Sequence, residues 1–146
     1  MNELITNPYP VPRTPYSPYS PYSPYSPYSQ PPMPPPPIDL SQVEAIARGN
    51  PARVQRYLGQ FLELVPPRMA ALQQHRTRRD RRQIRQTLHS MRPQLAFFGV
   101  PGITAPIDRL ELEYDTMPWP ELEALLDDIM PRLKAACAAV GERHQP

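Results

Sequence analysis

Glycine is scarce here. The five glycines, Gly49, Gly59, Gly99, Gly102 and Gly141, do not assemble into a glycine-rich loop that could cradle a phosphate. That excludes self-phosphorylation from ATP by such a loop. Cysteine occurs once, at Cys137, in a helical stretch that fits a small buried side chain. No disulfide framework can form within the chain, and a reducing, cytoplasmic setting is expected. No apolar run approaches the roughly 20 residues of a membrane span, so no membrane association is expected. The N-terminus lacks the apolar segment of a secretory signal. β-branched residues nowhere alternate with polar ones, which leaves no signal for a sheet. Histidine and cysteine nowhere cluster at metal-ligand spacing, so neither a metal nor another cofactor is expected.

Proline is abundant and unevenly spread. Most of the 24 prolines fall in residues 1–37, a segment without glycine and with few aliphatic side chains. It cannot bury enough apolar surface to offset the entropy of ordering. Residues 1–37 are therefore expected to be a disordered arm with polyproline II character. Its tandem core, "SPYSPYSPYSPYS" from Ser17 to Ser29, would align its tyrosines along one edge. Domains that bind Pro-rich motifs read such an edge; a flexible linker is the other reading.

From Ile38 the composition turns helical. Residues 38–141 are expected to form a bundle, and 142–146 a frayed tail. A short first helix is capped by Asp39 or Ser41, with Ser41 and Glu44 at capping-box spacing. Gly49-Asn50 ends it, and Asn50-Pro51 starts the second helix. There Val54, Leu58, Phe61, Leu62 and Val65 recur at helical spacing. Pro66-Pro67 should kink or interrupt it before Met69 and Leu72 resume the pattern. A polar connection containing His75 leads to a third helix that starts at Asp80 and stops at Gly99. A fourth carries Ile107, Leu110 and Leu112 on its apolar side. A fifth has the stripe Leu122, Leu125, Ile129, Leu133, Cys137 and Val140, with a kink at Pro131. The expected fold is all-α.

The third helix carries the chemistry. With Ile84 at zero on the helical wheel, Leu88, Met91, Leu95 and Phe98 all fall within about 40° of it. His89 falls near 140°, toward solvent. Arg82, Arg85 and Arg92 share its side of the helix, as do Pro93 and Ala96. A neutral imidazole is a nucleophile for phosphoryl groups, and nearby guanidinium groups disfavour its protonation. The same guanidinium groups would stabilise an arriving phosphate.

Those residues also carry a family resemblance. Leu88-His89-Ser90-Met91-Arg92-Pro93-Gln94-Leu95, followed by Phe98-Gly99, resembles the hallmark A-H-S-L-K-G-S-A then L-G of histidine-containing phosphotransfer (HPt) domains. "ARGNPARVQRYLGQFLELVPPRMAAL" is similar to the family's G-D-x6-L-x-x-F-x4-P stretch, and "IDRLELE" looks like its next helix. The resemblance covers about residues 38–141. It implies an up-down four-helix bundle with a short extra N-terminal helix. It also implies a carrier rather than an enzyme, with His89 as the phospho-accepting residue. The partners it implies are receiver domains of response regulators or hybrid histidine kinases. Arg92 corresponds to the basic residue that supports the phosphate; Arg85 and Arg82, one and two turns before His89, are expected to support it from the helical wheel alone. Position 93 departs: the family has glycine where this chain has Pro93. Access is kept, but the His89 carbonyl loses its helical donor, so a kink beside His89 is expected. Gln94 also departs from the family's serine and falls on the side away from His89.

Two other functions compete. Arg76, Arg78, Arg79, Arg81, Arg82 and Arg85 form a basic run that could attract nucleic acid. The acids Glu111, Glu113, Asp115, Glu121, Glu123, Asp127 and Asp128 offset it, and no aromatic residue is interleaved. An acidic receiver pocket is as good a partner for that run, which leaves nucleic acid disfavoured. The third reading is an adaptor that works through the Pro-rich arm.

Overall fold

A computed structural model describes residues 35–145 of the chain, so the predicted arm up to residue 34 lies outside the described residues. Five helices follow in order: α1 (Ser41–Ala47), α2 (Pro51–Thr77), α3 (Arg81–Phe97), α4 (Thr104–Glu113) and α5 (Trp119–Arg143). No strand occurs among the described residues. The helices pack in a ring, with α2 against α3, α3 against α4, α4 against α5, and α5 back against α2. The short α1 lies on α2. This is the up-down bundle with an extra N-terminal helix that the sequence predicts.

Local signals place most helix ends. The Asn50 Oδ1 accepts hydrogen bonds from Ala52 N at 3.0 Å and Arg53 N at 3.3 Å, which caps α2. The Asp80 Oδ1 does the same for α3, accepting from Gln83 N at 3.2 Å. At α1, Asp39 rather than Ser41 is the acceptor. Its Oδ1 takes Ser41 N at 3.0 Å and Ser41 Oγ at 2.5 Å. Gly99 ends α3 at φ 59°. The turn beyond it brings Asp39 N to Phe98 O at 2.9 Å, tying the segment before α1 to the end of α3.

The core takes one stripe from each helix. Val43, Phe61, Val65, Ile84, Leu88, Met91, Phe98, Leu110, Leu122, Ile129, Leu133 and Val140 lose all contact with solvent. Ile38 and Leu40, ahead of α1, are buried too. Three expectations are corrected. Leu112 is 81% exposed, because it lies about 200° around α4 from the buried Leu110. On α5 the buried positions are Leu126 and Ala136, while Leu125 and Cys137 sit on the flank and are only partly buried. Burial still raises the Cys137 thiol above its ordinary pKa. His75 belongs to the last turn of α2, not to a connection.

The prolines do not break the helices. α2 runs unbroken through Pro66 and Pro67, and α5 through Pro131. Val65 and Leu72 on either side of the α2 pair are buried, and this packing offsets the lost hydrogen bonds. α5 also passes the boundary expected at residue 141. Gln55 on α2 donates from Nε2 to Arg143 O at 3.1 Å and accepts from Gln145 N at 2.6 Å.

Candidate functional site

His89 lies in the middle of α3, opposite the buried Ile84, Leu88, Met91 and Leu95. Its side chain is 64% exposed. The helix periodicity that buries the stripe turns the imidazole outward. α3 and α4 are antiparallel neighbours, which brings a set of residues level with it. Glu111 on α4 stands opposite His89, with Glu111 Oε1 2.8 Å from His89 Nδ1. Three residues along α3, Arg92 Nη1 donates to Glu111 Oε2 at 2.8 Å and reaches Asp108 Oδ1 at 2.5 Å. One turn the other way, the Arg85 guanidinium lies 5.4 Å from the Tyr114 ring centre.

Glu111 is the residue that the sequence left undistinguished among the acids of the C-terminal half. Its side chain is 13% exposed. Burial pushes its carboxyl up, but hydrogen bonds from Arg92 and His89, reinforced by charge, hold it below the ordinary carboxylate range. An ionised carboxylate only accepts hydrogen bonds. His89 Nδ1 is therefore the donor, and in the neutral ring the lone pair sits on Nε2. Nε2 has no partner among the described residues. The available signal was Asp108 and Glu111, three apart on one face of the helix next to α3.

The arginines are arranged differently from the wheel's suggestion. Arg92 has its pKa raised by hydrogen bonds to Glu111 and Asp108, and its charge is matched by theirs. Arg85 packs on Tyr114, and its Nε is buried without a partner among the described residues. Arg82 is exposed and is in no ion pair among the described residues. The formal charge that touches the imidazole is thus the Glu111 carboxylate, not an arginine.

Three more members of the basic run are also occupied. Arg76 pairs with Glu123 at 3.4 Å and Asp127 at 2.7 Å. Arg79 and Arg81 lie over the Trp119 ring, at 5.4 Å and 5.8 Å from its centre. Arg81 also donates to the carbonyls of Tyr114 and Met117. The acids and aromatics that lie apart in sequence from the arginines meet them in the fold. On the α2 side of His89, the next residue, Ser90, accepts from Arg68 Nε at 2.9 Å. Among the described residues no group of histidines, cysteines and acids could hold a metal, and no helix is long and apolar enough to cross a membrane.

Among the described residues, a ring of antiparallel helices turns one carboxylate-tethered histidine outward. Comparison with protein families gives the more specific result. Residues 56–141, more than half of the chain, match the Hpt domain. The chain belongs to the Hpt family, whose members carry phosphoryl groups on histidine in phosphorelays with response-regulator receiver domains. The match begins inside α2, so α1 lies outside it. No curated protein and no solved structure matches the chain.

Proposed function

We propose that His89 is the phosphoryl carrier, taking the group from an aspartyl phosphate on one receiver domain and passing it to another. The observation that carries this reading is the Glu111 contact to Nδ1, which leaves Nε2 as the nucleophile on an exposed ring. In the forward step the Nε2 lone pair attacks phosphorus and an N–P bond forms. The P–O bond of the acyl phosphate breaks, and its electron pair leaves on the receiver's aspartate. The imidazole becomes cationic and keeps its Nδ1 proton, which the Glu111 carboxylate stabilises. The return step runs the same bonds backward. Little covalent machinery is needed from the acceptor, since positioning and charge do most of the work.

The other residues serve this centre. Arg92, held by Asp108 and Glu111, supports it by fixing the Glu111 carboxylate. Arg82 offers an exposed cation on the same side of α3 to an approaching acidic pocket. Pro93 is exposed and short, so a partner can come close.

The test uses receiver domains from the same genome, charged with labelled acetyl phosphate and mixed with the full chain. Wild type is expected to take up the label and His89→Gln to take up none. Equal labelling of both would sink the proposal.

A further inference from the structure

The charge that meets the phosphoryl group has to come from somewhere, and Arg92 is already neutralised by two carboxylates. Arg85 is packed on Tyr114. Arg82 lies two turns from His89 along α3, about 10 Å by helix rise. A different helix supplies a cation whose bonds are to neutral groups. Arg68 on α2 donates from Nε to Ser90 Oγ at 2.9 Å and from Nη1 to Leu64 O at 3.3 Å. Both acceptors are neutral. Among the described residues no carboxylate lies within ion-pair distance of Arg68. Glu63 shares with it a groove of about 400 Å³, also lined by Gln60, Leu64 and Gln94, yet does not pair with it.

Ser90 fixes the arrangement. Its hydroxyl donates to Thr87 O at 2.7 Å, so its lone pairs face the guanidinium. α2 and α3 are antiparallel, and the bond between Arg68 and Ser90 sets their register. His89 precedes Ser90, so the bond between Arg68 and Ser90 lies one residue along α3 from His89, on its α2 flank, whereas Glu111 reaches the ring from α4. A guanidinium has five N–H donors, and the bonds to Ser90 and Leu64 use two.

We propose that Arg68 is the cation that receives the phosphoryl group at His89, with Ser90 holding it there. This rests on His89 being the acceptor. Glu111 would then serve the Nδ1 side of the ring and Arg68 the Nε2 side, each from a different helix. The free N–H groups of Arg68 would bind the phosphoryl oxygens as the N–P bond forms.

Phosphoramidate tests this without a receiver. Nε2 attacks its phosphorus, the P–N bond breaks and ammonia leaves. The rate of phosphohistidine formation on the full chain is followed by phosphorus NMR, alongside thermal melting. Arg68→Gln is expected to slow the reaction at least about tenfold, less than the roughly 100-fold or more lost with a donor in an enclosed site. Arg68→Lys should recover most of the rate, and Ser90→Ala should give an intermediate one. Melting temperatures should stay at the wild-type value. A wild-type rate in Arg68→Gln overturns the proposal. So do equal losses in Arg68→Gln and Arg68→Lys that track a lower melting temperature, since Arg68 would then only tie α2 to α3. If a variant fails to fold, the Ser90→Ala rate decides alone: a wild-type value overturns the proposal. His89→Gln separates the two readings. If it still forms phosphohistidine, the acceptor assignment fails. If it forms none while Arg68→Gln reacts normally, only the Arg68 inference fails.

Discussion

At the scale of the residue, Glu111 links two groups that differ in charge and exposure. It holds His89 by one carboxylate oxygen and Arg92 by the other, while sitting largely out of water. Its carboxyl lies below the ordinary value of about 4.5 in the folded protein. A depressed folded-state value means that Glu111 adds stability above the unfolded value and loses it as pH falls through the folded one. Glu111→Gln is therefore expected to cost about 1–3 kcal/mol at neutral pH, the size of a hydrogen bond to a charged group. The gap to wild type should shrink as pH drops below about 4.5. Urea titrations of both proteins from neutral pH to pH 3 would show it; a pH-independent gap would contradict the ionised pair.

At the scale of the element, the helices follow from local chemistry and their neighbours from contact. Asn50 and Asp80 cap α2 and α3 where the sequence placed them. The periodicity of α3 correctly buries Ile84, Leu88, Met91, Leu95 and Phe98. It fails by one position on α5, because both Leu125 and Leu126 are apolar and only packing selects Leu126. The same limit applies to Leu112, an apolar residue that the shape of α4 leaves in water. Gly99 shows a demand that only the fold reveals. It adopts a positive φ, and an added Cβ would come within 2.7 Å of Asp39 Cβ and 2.8 Å of Asp39 O. Gly99→Ala should cost more than about 1 kcal/mol, from the left-handed backbone alone and more from the contact. A lower denaturant midpoint with an unchanged slope would bear this out; an unchanged midpoint would not.

At the scale of the whole molecule, Ile38 and Leu40 are the first buried apolar residues among those described. A protein lacking residues 1–34 should melt as the full chain does and still take up phosphate on His89. One lacking residues 1–40 loses both buried side chains and the bond from Asp39 N to Phe98 O. Its melting temperature should fall by several degrees, since even about 1 kcal/mol shifts a domain of this size by 4–8 °C. If removal of residues 1–34 abolished uptake while the bundle stayed folded, the adaptor reading would gain over the carrier.

The sequence alone determined the helical class, the caps of α2 and α3 and the outward turn of His89. Each depends on residues within a few turns of one another, where spacing and side-chain type suffice. Only the tertiary structure decided what surrounds the imidazole. Glu111 and Arg68 come from the flanking helices, each 22 residues from its partner on α3. A helical wheel sees one helix, so it gathered three arginines around His89. Packing adjacent helices brought a carboxylate to the ring, tied Arg92 to acids, and left Arg68 uncompensated among the described residues.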